Sequence, residues 1–259
     1  RARGGASVNI HIVCRNWPAD RILPRFTRYL MEAHGWTAGA AYDNNADANY
    51  LMAYFEYSKI AAQIANTRPL VSYMTHLEEG DNAKARLYNQ VASMATLRVG
   101  MNQAQLPHLN TFGPSTVLPL PVEIHNFTPR AHQIGKVPTV GLSGYTYASG
   151  RKGEALVTAL RKLPGVTLKA SGRGWPGITT KMYEWRAMPD FYRSLDLFVC
   201  TSLVEGGPLT TLEALACGVP VVIPSGVGIH DEIPDVAGIY RYPRGNATAL
   251  IEAVQRALG

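Results

Sequence analysis

Cysteine is scarce in this sequence, and the long apolar runs of membrane proteins are missing. Its three cysteines, Cys14, Cys200 and Cys217, form no C-x-x-C pair, which excludes a disulfide framework and the usual zinc spacings. We interpret them as buried free thiols in a reducing compartment. No apolar run approaches the ~18 residues of a membrane-spanning helix, so a cytoplasmic protein is predicted. The sequence begins with Arg1 and not methionine, which leaves a removed N-terminal segment open.

Two sequence motifs of common enzyme classes are also missing. The chain has no D-x-D motif, so no metal site is predicted. No G-x-G-x-x-G follows the first predicted strand, Val8 to Cys14, which makes a dinucleotide-dependent oxidoreductase the least favoured function. A later glycine-rich loop, SGRGWPG, is by itself weak evidence for a nucleotide site.

Acidic residues are fewer than basic ones, 19 against 25, and the formal net charge is +6. The local excess is greatest in an arginine cluster near the start of the chain, where Asp20 is the only acid. Its members are Arg1, Arg3, Arg15, Arg21, Arg25 and Arg28. This cluster predicts peripheral contact with an anionic acceptor, a membrane surface or nucleic acid. The alternative is that the charge serves solubility and the positive potential of a phosphate site.

Strand-like and helix-like segments alternate along the chain, which indicates parallel sheets covered by helices on both faces. The 259 residues allow one or two domains. A polar stretch from residue 130 to 137, bounded by Pro129 and Pro138, reads as a linker. We therefore predict an α/β protein with two Rossmann-like domains, residues 1–129 and 130–259.

The most informative block runs from Glu205 to Pro224 and reads EGGPLTTLEALACGVPVVIP. Pro208 suits the first position of a helix, and Gly218 suits its end. A buried strand follows, so the block predicts a loop, a helix N-terminus and a parallel strand, where α/β proteins bind anions. Together with hydroxyls and carboxylates, this arrangement predicts a ligand that combines phosphate with hydroxyl groups, such as a nucleotide sugar. The alternative is a surface loop with solvated glutamates.

A second basic element follows the strand Thr139 to Ser143. A glycine-rich turn there delivers Arg151 and Lys152 to the start of a helix. Two cations at a helix N-terminus are unfavourable unless an anion is bound there. Arginine can pair with a phosphate through two hydrogen bonds, and lysine acts as a mobile point charge. A solvated loop is the alternative.

Together these blocks resemble the retaining GT-B glycosyltransferases of the family 4-like group, the glycosyl transferases group 1. The ordered resemblance covers most of residues 118–257. It implies that Glu205 faces the donor sugar and that Glu213 holds the ribose hydroxyls. The expected diphosphate contacts are Gly206, Gly207, Thr210 or Thr211, Arg151 and Lys152. Family members usually carry an arginine where this chain has Tyr145, so Arg151 is expected to substitute for it.

The resemblance also implies roles that rest on weaker matches. Tyr183 and Trp185 are expected near the nucleobase, although both could equally be packing residues. His76 follows the second strand, in a position where a family histidine contacts the donor sugar; a structural role is the alternative. The N-terminal half matches the family poorly, and acceptor recognition is expected there.

The resemblance implies a GT-B fold, with two parallel sheets facing across a cleft, and metal-independent transfer with retention of configuration. The implied donor is a UDP- or GDP-linked sugar, with UDP favoured, and no further cofactor is expected. The acceptor is a saccharide, a lipid-linked glycan or nucleic acid. Two rival functions stay open: a glucosyltransferase of the same fold acting on modified DNA bases, and an inactive nucleotide-sugar-binding module.

Overall fold

A computed structural model describes residues 8–15, 21–64, 68–77, 80–129, 131 and 136–259 of the chain. The chain divides into two compact units, Arg1–Pro119 and Leu120–Gly259. The observed division therefore lies earlier in the chain than the predicted one at residues 129 and 130. Arg1, Arg3, Asp20 and most of the predicted linker are outside the described residues.

The first unit is a parallel sheet of six strands with helices between them. The strands are β1 (Ile10–Val13), β2 (Thr37–Gly39), β3 (Ala48–Leu51), β4 (Leu70–Met74), β5 (Leu97–Gly100) and β6 (Ser115–Val117), in the spatial order β2-β1-β3-β4-β5-β6. The helices are α1 (Ile22–His34), α2 (Tyr57–Ile60), α3 (Ala83–Met94) and α4 (Leu106–Leu109). Gly35 ends α1 at φ 69°, and the Asn82 side chain caps α3.

Two elements of this unit are short. α2 ends at Ile60, and a 3₁₀ turn, Ala61–Gln63, follows it. β6 ends at Val117, because Pro119 and Pro121 lack the N–H groups that a sheet ladder needs.

The second unit is also a six-stranded parallel sheet. Its strands are β7 (Thr139–Tyr145), β8 (Thr167–Arg173), β9 (Thr180–Lys181), β10 (Leu197–Val199), β11 (Val221–Ser225) and β12 (Ile239–Pro243), in the order β12-β11-β10-β7-β8-β9. Its helices are α5 (Glu154–Leu160), α6 (Met188–Arg193), α7 (Leu209–Ala216) and α8 (Ala247–Leu258). One apolar cluster packs α5 and α8 on one side of the sheet, and a separate cluster includes residues of α6 and α7. The predicted α/β fold class is confirmed in both units.

The segment that opens the second unit is held by that unit's own core. Phe127 is 1% exposed and lies in the cluster that contains α6 and α7 residues. Arg193 of α6 donates hydrogen bonds to the carbonyl oxygens of Thr128, at 3.0 Å, and Asn126, at 3.2 Å. These contacts explain why residues 120–129, predicted to end the first domain, belong to the second unit.

Two expectations drawn from composition can be compared with the described residues. Cys14, Cys200 and Cys217 are buried, and no disulfide joins them within the described part of the chain, as the sequence predicts. None of the described helices is both long enough and apolar enough to span a membrane.

Candidate functional site at the carboxyl ends of β7 and β10

Two loops of the second unit meet because their strands are neighbours. β7 and β10 pair in parallel, so both end at the same edge of the sheet. The loop after β7 carries Arg151 and Lys152, and the loop after β10 carries Glu205 and leads into α7. Pro208, predicted as the first helical residue, immediately precedes the helix. Ligands of open α/β sheets bind beyond this edge.

Hydrogen bonds to two backbone carbonyls of the first loop join the two loops. The Leu203 amide donates to the Arg151 carbonyl at 2.8 Å, and the Thr201 hydroxyl donates to the Lys152 carbonyl at 2.6 Å. Gly153 has φ 70°, and a Cβ atom there would lie 1.9 Å from the Thr201 carbonyl oxygen. Glycine is therefore required at this close approach.

A compact group of charges lies at this junction. The Lys152 ammonium donates to Glu205 Oε1, and the Arg151 guanidinium lies 3.8 Å from Glu205 Oε2. Ser202 Oγ also donates to Glu205 Oε1, at 2.9 Å. The three charged side chains are between 12% and 19% exposed, so their charges are partly screened from water. The structure thus brings together three residues that the sequence predicts for one site.

The pairing sets the charge state of these groups. Burial by itself raises the pKa of Glu205, but Lys152, Arg151 and Ser202 reverse this and hold the pKa below its usual value. Burial lowers the pKa of Lys152, and Glu205 outweighs that effect, so this pKa lies above its usual value. The Glu205 carboxylate and the Lys152 ammonium are therefore both ionised near neutral pH.

The glycine turn before α7 is fixed from a third loop. Gly206 is buried, and its carbonyl oxygen accepts a hydrogen bond from the Ile229 amide at 3.1 Å. Thr211 is fully buried and shares a 3.0 Å hydrogen bond with His230 Nε2. Thr210 is only half-buried. Of the two threonines proposed for the phosphate, Thr210 is therefore the one that is not enclosed.

Glu213 lies deeper than expected. The residue predicted to hold the ribose hydroxyls is only 5% exposed on α7. Glu213 Oε2 accepts a 2.8 Å hydrogen bond from the hydroxyl of Tyr192, which is itself fully buried. The hydroxyl holds the carboxylate in one orientation, and a carboxylate has further acceptor positions on its two oxygens.

The two aromatic residues expected near the base lie beside the core. Tyr183 and Trp185 are half-buried and pack against the cluster that holds Phe191. The ring centroids of Tyr183 and Phe191 are 5.2 Å apart, and the Lys181 ammonium lies 5.0 Å from the centroid of the Tyr183 ring. These contacts fit the packing alternative, and a role toward the base stays a prediction.

The remaining predicted residues lie in the first unit. His76 follows β4, with Nδ1 3.2 Å from the Thr75 hydroxyl and its ring 6.3 Å from that of Tyr54. Of the arginine cluster, Arg21 is exposed and Arg28 is half-buried, but Arg25 is only 6% exposed. Arg25 is therefore not available to an anionic surface, because α1 packs it inward.

Three residues of the site were not identified from the sequence. Ser202 and Tyr192 bind the two glutamates, and His230 binds Thr211. Ser202 lies three residues before Glu205, which is a local signal that could have been used. Tyr192 and His230 carry no local signal, because they reach the site only through packing. Among the described residues, no three His, Cys, Asp or Glu side chains are grouped to hold a metal ion.

The region that carries this site is similar to known proteins. The family model described as Glycosyl transferases group 1 matches residues 164–259, which contain Glu205, α7 and Glu213. The predicted resemblance to group 1 glycosyl transferases is confirmed. Within curated proteins, a 50-residue stretch is 54% identical to the lipopolysaccharide core biosynthesis mannosyltransferase LpsB of Rhizobium meliloti. That stretch is 19% of this chain and 14% of LpsB, far less than two thirds of that relative's length.

Solved structures extend the likeness from the group 1 signature to both units. HepE from Anabaena, in complex with UDP and glucose, has a TM-score of 0.72 at 16% identity, covering 97% of this chain and 90% of HepE. Sucrose-phosphate synthase from Thermosynechococcus elongatus has a TM-score of 0.66 at 16% identity, covering 91% and 67%. These similarities establish the predicted GT-B fold class.

Proposed function

We propose that this chain is a retaining, metal-independent glycosyltransferase that moves a sugar from a nucleotide-sugar donor to an acceptor. The observation that carries the proposal is the ionic group in which Lys152 and Arg151 meet Glu205 beside the N-terminus of α7. A diphosphate needs fixed cations and amides, and a reacting sugar needs an ionised carboxylate close by. Both are present within one hydrogen-bonded junction.

The proposed binding mode assigns one part of the donor to each part of the site. The diphosphate takes Arg151, Lys152 and the amides of the turn at Gly206 and Gly207, with Thr210 as the accompanying hydroxyl. The ribose hydroxyls take Glu213, whose orientation Tyr192 fixes. Tyr183 and Trp185 are assigned to the base, and a role of His76, a residue of the first unit, toward the sugar stays a prediction. Binding of the diphosphate competes with Glu205 for the two cations and turns that carboxylate toward the sugar.

Chemistry at this site consists of stabilising charge as one bond is exchanged for another. The bond from the anomeric carbon to the diphosphate breaks, and its electron pair leaves with the diphosphate. Lys152 and Arg151 stabilise that developing negative charge, a contribution of roughly 3 kcal/mol for each well-placed donor. Glu205 stabilises the positive charge on the sugar. The acceptor oxygen attacks the anomeric carbon from the face that the diphosphate leaves, which retains the configuration. The proton of the acceptor hydroxyl passes to an oxygen of the departing diphosphate.

The donor base and the acceptor are proposed with support of different kinds. UDP is favoured because the solved complexes of Anabaena HepE contain UDP or UDP-glucose. A saccharide or lipid-linked glycan is favoured as acceptor because LpsB is described as a lipopolysaccharide core mannosyltransferase. A nucleic-acid acceptor is less favoured, because Arg25 is buried and Arg15 lies 3.9 Å from Glu56. A cytoplasmic location belongs to the same proposal.

The first test is a binding screen followed by turnover. Thermal shift with UDP, GDP and their glucose and mannose conjugates should reveal one preferred nucleotide. A ligand at 100 times its Kd stabilises a protein by about 2.7 kcal/mol, which such a screen detects. The preferred nucleotide sugar should then be hydrolysed slowly and transferred to a saccharide acceptor, with the anomeric configuration of the product read by NMR.

Each outcome of this test separates the proposal from its rivals. An inverted product contradicts the retaining mechanism alone. Binding without hydrolysis or transfer indicates the inactive binding module. Transfer to nucleic acid, with acceptor binding that falls steeply as salt rises, indicates the nucleic-acid enzyme. No stabilisation by any of these nucleotides contradicts the proposed function altogether.

A further inference from the structure

A short segment after β11 supports the glycine turn from behind. Gly228–Glu232 form a 3₁₀ turn in which His230 is fully buried. His230 Nε2 lies 3.0 Å from the Thr211 hydroxyl on α7, and the neighbouring Ile229 amide donates to the Gly206 carbonyl. Two adjacent residues of one segment therefore hold both the turn and the first part of the helix.

The segment fits against the turn with no spare room. Gly228 has φ 56°, and a Cβ atom there would lie 2.5 Å from the Gly206 carbonyl oxygen and 2.7 Å from that of Glu205. Only glycine allows the backbone to come this close. On its other side, the His230 carbonyl accepts a 2.9 Å hydrogen bond from Arg241 of β12. Arg241 of β12 therefore fixes the backbone at His230, and this segment in turn fixes the position of the glycine turn.

The charge state of His230 agrees with this role. Burial lowers its pKa to about 4, and Arg241 also lowers it, while Glu205 and Asp231 act in the opposite direction. The ring is therefore neutral near pH 7. A neutral ring can share its hydrogen bond with Thr211 and adds no positive charge behind the phosphate site.

We propose that His230 is a positioning residue that keeps the Gly206–Gly207 turn in the shape that binds the donor diphosphate. This inference rests on the proposed function. It also assigns different roles to the two threonines: Thr211 binds His230, and Thr210 supplies the hydroxyl that contacts the donor. His230 touches neither donor nor acceptor, and it acts through Thr211 and through the backbone of Ile229.

Two substitutions of similar size test the role of Nε2. In His230→Gln the amide group lies near the position of Nε2, whereas in His230→Asn the shorter side chain cannot reach Thr211. Thr211→Val removes the hydroxyl with little change of shape, and Thr211→Ser retains it. Calorimetry would measure the Kd of whichever of UDP or GDP the wild type binds, and of the corresponding monophosphate. Chemical denaturation would measure the stability of each variant.

We expect His230→Asn and Thr211→Val each to weaken diphosphate binding ~10-fold, the size of one lost hydrogen bond. His230→Gln and Thr211→Ser should stay within about twofold of wild type. The loss of affinity should be smaller for the monophosphate than for the diphosphate, because the turn faces the phosphates. A purely structural role would weaken the binding of both nucleotides by the same factor. The double variant His230→Asn/Thr211→Val should be no weaker than either single variant, because both remove the same bond.

Three results would overturn this inference. One is His230→Asn that binds the diphosphate as the wild type does. Another is an equal loss of affinity in His230→Gln and His230→Asn at equal stability. If His230→Asn fails to fold, a normal diphosphate affinity in Thr211→Val is the decisive contrary result. A wild type that binds no nucleotide overturns the proposed function and this inference together, whereas the other results leave the proposed function in place.

Discussion

The Tyr192 hydroxyl donates a 2.8 Å hydrogen bond to Glu213 Oε2, and both residues are at most 5% exposed. The second glutamate of the group 1 signature is therefore both a candidate ribose ligand and a buried part of the second unit. This double position changes what a substitution of Glu213 should do. Loss of the carboxylate removes the proposed ligand for the ribose and also leaves a buried hydroxyl without its acceptor.

Glu213→Ala should lower both affinity and stability. We expect a tenfold or greater loss in binding of the preferred nucleoside diphosphate, and a loss of about 1–3 kcal/mol in the free energy of unfolding. Calorimetry and urea denaturation measure the two effects. Tyr192→Phe is the matched comparison: it should lose about 1 kcal/mol of stability and less affinity than Glu213→Ala, because it frees the carboxylate but does not remove it. Equal affinity losses in both variants would contradict a direct contact between Glu213 and the ribose.

Lys152→Ala and Arg151→Ala should each weaken binding of the nucleoside diphosphate about 10- to 100-fold. Each removes a charge-assisted contact worth roughly 1.5–3 kcal/mol. The control is Lys162→Ala, which changes an exposed lysine just beyond α5 and should bind normally. Affinity unchanged in both test variants would exclude this loop as the phosphate site.

Glu205→Gln should separate affinity from turnover. The substitution removes the carboxylate that pairs with Lys152 and Arg151, so both cations become fully available to a diphosphate. We expect nucleoside diphosphate to bind equally or a few-fold more tightly, within ~1 kcal/mol, while kcat falls at least 100-fold, about 2.7 kcal/mol. Glu252→Gln, an exposed glutamate on α8, is the control. Weaker diphosphate binding with normal kcat would reverse the assignment.

Stability should depend on pH through His230. Its folded pKa of about 4 lies below the ordinary 6.5, so the unfolded chain binds the extra proton between these values. The His230 contribution to stability is therefore complete above pH 6.5 and is lost as the pH falls toward 4, by up to about 3 kcal/mol. Urea denaturation from pH 4 to 7 would compare the wild type with His230→Gln. The same pH slope in both would contradict the prediction.

Gly153→Ala should be far more damaging than Gly165→Ala. Both glycines have φ near 70°, so each substitution costs about 1–3 kcal/mol of backbone strain. Only at Gly153 would the new Cβ also collide with the Thr201 carbonyl, 1.9 Å away; nothing lies within 4 Å at Gly165. Denaturation of both variants measures the difference. Equal losses would show that the two loops do not depend on this close approach.

The sequence by itself determined the α/β class, the strands β1 and β7, and the motif that leads through α7 into β11. Strand-like apolar segments that alternate with helix-like segments specify parallel strands and their covering helices. A strand that is buried on both faces needs a continuous apolar run. Pro208 and Gly218 set the ends of a helix through local backbone rules, and the structure has α7 between them. Such features depend on neighbours in the chain, which a sequence displays directly.

Only the tertiary structure decided which side chains meet. Lys152 and Glu205 pair because β10 lies beside β7, and strand order is not written in the periodicity of either strand. The same holds for Tyr192 with Glu213 and for His230 with Thr211, which are joined by the packing of separate elements. Burial of Arg25 was also unpredictable, because it depends on the face that α1 turns inward. Local propensity sets each element, and the free energy of packing sets the contacts between elements.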